Sequence, residues 1–185
     1  MTQIGWILDL TKCVGCHACT VACKSENNTA PQISPLVMRN GRAITVDWRR
    51  VTEIERGTYP KVAREFVSMA CNHCLEPACM KSCPVGAITK RDKDGIVLID
   101  QEKCNGCRYC VWACPWGAPR FSEITHKVEK CTFCVQRIDA GLQPACVTTC
   151  VGRALTFGYD VGPTREVPEG FADPQLTGAQ IRFVR

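Results

Sequence analysis

The sequence lacks a long apolar run. Nothing in it approaches the roughly 18 consecutive apolar residues of a membrane span, and Ile96-Val97-Leu98-Ile99 is about the longest aliphatic stretch. Residues 1–12 carry neither the basic nor the apolar segment of a secretory leader, so no export signal is expected. Arg49-Arg50 lies too far inside the chain for a twin-arginine leader. The glycine-rich phosphate motifs, the zinc-protease His-Glu-x-x-His and the Gly-x-Ser-x-Gly nucleophile turn are all missing. Only three histidines occur in 185 residues. With no paired acid and base in view, no catalytic residue is assigned and no substrate turnover is expected of this chain alone. Apolar residues make up 45%, falling to about 36% once cysteine is set aside, which is little for a chain that must bury an ordinary core. A formal charge of +5 does not by itself argue for nucleic acid.

What the chain has instead is cysteine, sixteen of them, falling into four groups of four. Group one is Cys13, Cys16, Cys19 and Cys23. Group two is Cys71, Cys74, Cys79 and Cys83, followed by Pro84. Group three is Cys104, Cys107, Cys110 and Cys114, followed by Pro115. Group four is Cys131, Cys134, Cys146 and Cys150. Disulfides suit small secreted chains, but no leader is seen, and successive cysteines three apart bridge one another poorly. Zinc is usually held by two separated Cys-x2-Cys pairs, not by three cysteines within seven residues. The Cys-x2-Cys-x2-Cys-x3-Cys run of groups one and three is the bacterial ferredoxin signature for iron–sulfur ligation. Sixteen thiolates at four per cluster predict four [4Fe–4S] clusters, all sixteen cysteines being metal ligands. Each such cluster carries about −2, so the loaded chain is expected near −3.

The segments between the groups predict an α+β fold of two nested bacterial-ferredoxin-like 2[4Fe–4S] units, an internal duplication. Residues 5–10 and 153–159 read as a strand pair that closes groups one and four on each other. Residues 86–89 and 96–99 flank a Lys93-Asp94-Gly95 turn and read as a hairpin joining groups two and three. The inner unit is then 71–120, and the outer unit is 1–30 plus 121–160. Residues 24–70 read as a β-ribbon insertion with a turn at Asn40-Gly41, between Leu36-Val37-Met38 and Ala43-Ile44-Thr45-Val46, and strand-like residues on through Trp48 and Val51. The ribbon is equally a plain surface feature or a surface for docking a partner. Residues 135–145 predict a short helix ended at Gly141. The proline- and glycine-rich tail, 161–185, is expected to be extended and irregular.

Lys12, Lys103 and Lys130 each precede the first cysteine of a group, and Ala70 takes that place in group two. A cation beside a cluster favours its reduced state, whereas a lysine at a strand end is ordinarily just solvated. Trp112, Trp116 and Phe133 read as packing that keeps water from the clusters. His17 and His73 lie inside groups already holding four ligands, so neither is expected to bind metal.

On these motifs the sequence resembles the four-cluster iron–sulfur (beta) subunit of the dimethyl sulfoxide reductase and polysulfide reductase group. The stretches that carry the resemblance are CVGCHACTVACKSEN, CNHCLEPACMKSCPVGAI, KRDKDGIVLID, KCNGCRYCVWACPWGAPRF, KCTFC and PACVTTCVGRALTFG, with Trp48-Arg49-Arg50-Val51 resembling the family's insertion. Lys24 and Val151 follow Cys23 and Cys150, where proline is usual after the latter. Cys107 is a full cysteine where some relatives carry a non-ligand and a three-iron cluster. The resemblance implies an electron wire. A molybdopterin catalytic subunit is expected at one end and a quinone-reactive integral membrane subunit at the other. The complex would be peripheral to the membrane, on the periplasmic face by export with a partner, though a cytoplasmic face also fits. A formate dehydrogenase or hydrogenase subunit and a free polyferredoxin are the competing readings. In a ferredoxin pair the fourth cysteine of each run crosses to the other cluster. That predicts Cys13, Cys16, Cys19 with Cys150 as cluster one, and Cys131, Cys134, Cys146 with Cys23 as cluster two. Cluster three takes Cys71, Cys74, Cys79 with Cys114, and cluster four Cys104, Cys107, Cys110 with Cys83.

Overall fold

The computed structural model describes residues 2–29, 38–39, 42–43, 46–162 and 166–185. Its organising strand is β1 (Ile4–Asp9), in which Ile4, Trp6 and Leu8 turn one face to the core, as period-two alternation dictates. On one side β1 pairs antiparallel with β10 (Leu155–Tyr159), Leu8 opposite Leu155 and Ile4 opposite Tyr159. This is the predicted closure of the first and last cysteine groups. On the other side it pairs in parallel with β11 (Ile181–Val184), Trp6 opposite Ile181. Gly5 allows that sheet, because a Cβ there would come within 2.8 Å of the Gln180 carbonyl oxygen.

The third strand corrects the expectation for the tail. Residues 166–185 do not trail away: a 3₁₀ turn at Pro174–Leu176 leads into β11, which buries Ile181 and Phe183. Residues 163–165 lie outside the described residues.

Helix α1 (Ala18–Glu26) follows β1 and buries Cys19 and Cys23, four residues apart and so on one face. The short strands β2 (Met38–Arg39) and β3 (Arg42–Ala43) pair antiparallel; the predicted Asn40-Gly41 turn itself lies outside the described residues. The long arms of the ribbon come later, as β4 (Arg50–Thr58) and β5 (Lys61–Met69), paired along their whole length from Arg50–Met69 to Thr58–Lys61. Its base enters the core through Val67 and Met69, while its tip, with Tyr59, stands exposed. Helix α2 (Ala78–Lys81) is followed by the predicted hairpin, β6 (Ile88–Lys90) with β7 (Val97–Ile99), and by α3 (Tyr109–Ala113). A small pair, β8 (Arg120–Phe121) with β9 (Val128–Glu129), leads to α4 (Val135–Asp139) and α5 (Ala145–Thr148). Gly141 ends the predicted helix in a left-handed conformation, φ +73°.

The two antiparallel connections repeat one design. Ile88 pairs with Ile99, five residues after Cys83 and five before Cys104. Leu155 pairs with Leu8, five after Cys150 and five before Cys13. Asp9 bridges Lys12 at 2.7 Å just as Asp100 bridges Lys103 at 3.4 Å.

Candidate metal centres

Each cysteine group is shaped by the same two backbone devices. The residue before the second cysteine has positive φ in all four groups: Gly15 (68°), His73 (43°), Gly106 (73°) and Phe133 (58°). That left-handed residue curls each Cys-x2-Cys into a loop, at a cost of about 1–2 kcal/mol where it is not glycine. The third cysteine is then the second residue of a short helix: Cys19 in α1, Cys79 in α2, Cys110 in α3 and Cys146 in α5. Groups one and three enter that helix through a left-handed residue, His17 or Arg108, and groups two and four through a proline, Pro77 or Pro144. Backbone N–H groups are aimed at sulfur. Ala87 donates to Cys83 Sγ at 3.3 Å, Phe133 to Cys131 Sγ at 3.3 Å and Leu155 to Cys150 Sγ at 3.4 Å. Such donors favour a sulfur that carries negative charge.

The fold gathers the cysteines across groups. Cys13, Cys16, Cys19 and Cys150 line one cavity. Cys71, Cys74, Cys79 and Cys114 line a second. Cys83, Cys104, Cys107 and Cys110 line a third. Of the remaining four, Cys23 is pushed up to about 12 by burial and by Cys146 and Cys134, against the pull of Arg49. Burial also raises the fourth member, Cys131, which senses Cys23, Cys71 and Cys146. All sixteen thiols are free. Among the described residues no three ligand side chains converge closely enough to hold a single metal ion. Four sulfurs set around one cavity without converging on a point suit a guest with several irons, not a lone zinc ion. Burial and neighbouring thiols lift Cys74 and Cys79 to about 12 and Cys110 to about 11, so each enters as a neutral thiol and gives up its proton when it takes a ligand's role.

The sharpest electrostatic feature is Arg49, 2% exposed. Its Nη1 donates to Ser68 Oγ at 3.2 Å and, more weakly, to the Ser68 carbonyl at 3.4 Å, and its guanidinium lies 4.3 Å over the Trp6 ring. Its Nε and Nη2 are buried without a partner among the described residues. Burial lowers its pKa, but Cys146, Cys131, Cys19 and Cys23 outweigh that and raise it. A buried guanidinium without an anion costs on the order of several kcal/mol, so this pocket is built for negative charge on its sulfurs. Clusters with thiolate ligands supply it.

The three lysines of the sequence pattern part company. Lys12 and Lys103 are exposed and paired with Asp9 and Asp100, which is the solvated role. Lys130 is buried, its Nζ donating to the carbonyls of Val97 and Cys131. Group two, which has Ala70 where the others have lysine, nonetheless receives the Lys130 charge at Cys79. Trp116 and Phe133 are buried as expected. Trp112 corrects the expectation, being 73% exposed, because α3 turns Cys110 inward and presents Trp112, two positions on, to the outside. His73 is buried and accepts from the Val97 N–H at 2.9 Å, with burial first and then Lys130, Arg49 and Lys90 holding it neutral.

Sequence reasoning missed Arg49 and Ser68. Cys19 Sγ lies 3.3 Å from Ser68 Oγ. It also missed Thr177, whose hydroxyl reaches Cys74 Sγ at 3.1 Å. Arg49 stood in an ordinary polar strand pattern, and the other two lie in segments with no metal motif at all.

The sequence profile of the 4Fe-4S dicluster domain matches residues 62–160, more than half of the chain. The B subunit of the sulfite dehydrogenase of Allochromatium vinosum is 43% identical over 176 residues, covering 90% of this chain and 73% of that protein. The B subunit of the selenate reductase of Mesobacillus selenatarsenatis is 37% identical, with 95% and 68% covered. The corresponding polypeptide of the anaerobic dimethyl sulfoxide reductase of Escherichia coli is 39% identical over 165 residues, with 85% and 74% covered. Sulfur-lined cavities, cysteine spacing and likeness along most of the length agree, and the protein belongs to the iron–sulfur, ferredoxin-like electron-transfer (beta) subunits of the dimethyl sulfoxide reductase family of molybdoenzymes.

Proposed function

We propose that this chain conducts electrons through four [4Fe–4S] clusters, between a molybdopterin catalytic subunit and a quinone-reactive membrane subunit. The observation that carries the reading is that three sets of four cysteines, each made of three from one group and the last from its partner group, line separate cavities; the remaining four make a fourth set. Cluster one is held by Cys13, Cys16, Cys19 and Cys150, and cluster two by Cys131, Cys134, Cys146 and Cys23. Cluster three is held by Cys71, Cys74, Cys79 and Cys114, and cluster four by Cys104, Cys107, Cys110 and Cys83. Contacts between the sets support that order: Cys146 senses Cys19, Cys131 senses Cys71, and Cys79 shares a packed cluster with Cys110. Electrons pass by proximity along such a row, and the chain's own part is to hold each cluster, keep water away and set its charge environment.

Two nested ferredoxin-like units account for this arrangement, residues 71–120 inside and 1–30 with 121–160 outside. The matching registers about the cysteines support a duplication. No helix among the described residues is long and apolar enough to cross a membrane, so contact with the membrane falls to a partner. The exposed tip of the β4–β5 ribbon offers a docking surface for the complex, which sits peripherally at the membrane, on the periplasmic face.

Anaerobic purification tests the reading. The complex is expected to hold about 16 iron and 16 acid-labile sulfide in this subunit, and to contain a molybdopterin protein. A chain that elutes alone is a free carrier. Cys150→Ala is expected to remove the same cluster signal as Cys13→Ala. If it removes the Cys131 signal instead, the crossing is wrong.

A further inference from the structure

Backbone repetition makes the four cysteine sets alike, but their charge environments differ. Arg49 and Lys130 are the buried Lys and Arg side chains among the described residues, and His73 accepts the Val97 N–H at its Nδ1. Neither pairs with a carboxylate there. Arg49 lies where the first two sets approach, hydrogen-bonded to the serine that touches Cys19 and within electrostatic reach of Cys23, Cys131 and Cys146. Lys130 lies where the second and third sets approach. It is tied to the carbonyl of Cys131 on one side and to that of Val97, which lines the third set's cavity, on the other. The gap between sets three and four has no such charge among the described residues, and Ala70 takes the position in the inner unit that Lys130 has in the outer.

Resting on the four-cluster reading, we infer that Arg49 and Lys130 are positioning residues for electron transfer. They are fixed counter-charges set in two successive gaps of the wire, and they hold up the reduction potentials of the clusters on either side. Reducing a cluster adds one negative charge to it. A cation locked nearby in a water-poor interior lowers the cost of that charge for both neighbours at once. Their second effect is to screen adjacent reduced clusters from each other. Cluster two is flanked by both cations and cluster four by neither, so one repeated scaffold yields four unequal stations.

The test is a redox titration of the purified complex followed by electron paramagnetic resonance, with iron counted in every sample. Arg49→Gln is expected to move two midpoints to more negative potential and leave two in place. Lys130→Met is expected to do the same to two midpoints, one of them shared with Arg49→Gln. Arg49→Lys is expected to stay near the wild type. Unchanged midpoints at full iron, or an equal shift of all four, would overturn the inference. If Arg49→Gln assembles with less iron, Arg49→Lys decides. Full iron in the lysine variant supports a need for charge, and equal loss in both shows a need for shape only. A wild-type count far below about 16 iron removes the four-cluster reading itself, and the inference with it.

Discussion

Thr177 shows how a single hydroxyl acts on a metal site from far along the chain. Its Oγ1 meets Cys74 Sγ at 3.1 Å and accepts from the Trp116 indole at 3.4 Å. A hydrogen bond donated to a ligand sulfur withdraws charge and eases reduction. Thr177→Val is therefore expected to lower one midpoint by tens of millivolts, on the scale of the roughly 60 mV that a tenfold change in a one-electron equilibrium represents. Thr177→Ser restores it. Equal midpoints in all three proteins would show that the hydroxyl serves packing alone. Trp6 acts on stability. It is buried, stacks on Phe133 at 3.8 Å, donates to the Cys71 carbonyl at 2.9 Å and lies under Arg49. Trp6→Ala is expected to cost about 3–5 kcal/mol, read as a lower denaturant midpoint under anaerobic conditions. The cysteines were legible in the sequence because ligand spacing is a local code. Ser68 and Thr177 were not, since their sulfur partners lie 49 and 103 residues away.

At the scale of elements, the pairing of β1 with β10 and that of β6 with β7 were readable, and that of β11 was not. The β6–β7 hairpin announced itself by its turn, and β1 with β10 by apolar alternation next to cysteine groups. β11 gave no comparable sign. It is four residues long, follows a stretch rich in proline and glycine, and pairs in parallel with a strand more than 170 positions earlier. The tail does more than add a strand: the carbonyls of Gly178 and Thr177 accept from the N–H groups of Leu75 and Glu76, and the Gln180 N–H donates to the Asn72 carbonyl. It thereby braces the loop of group two. Removing residues 179–185 leaves Thr177 but strips Ile181 and Phe183 from the core, each worth about 1.5–3 kcal/mol of burial. The truncated protein is expected to bleach faster in air or chelator. A bleaching rate equal to that of the full chain would show that β11 gives no protection.

For the molecule as a whole, the apolar core is thin, and much of what it contains is cysteine: Cys19, Cys71, Cys131 and Cys146 are all part of its main cluster. The clusters are then part of the core, and stripping iron anaerobically is expected to abolish near-ultraviolet and far-ultraviolet circular dichroism together. Retention of a native spectrum after complete iron loss would show a fold that stands without metal. The central place of β1 also dictates a schedule. A ribosome delivers Ile4–Asp9 early, yet both strands that flank it, β10 and β11, emerge after every cysteine of the inner set has been made. The earliest cysteines must therefore wait, reduced and unpaired, while later ones are synthesised. Loading of the first cysteine group is consequently a task for a chain synthesised through β11, and whatever delivers iron there meets a β1 that has only then gained both its neighbours.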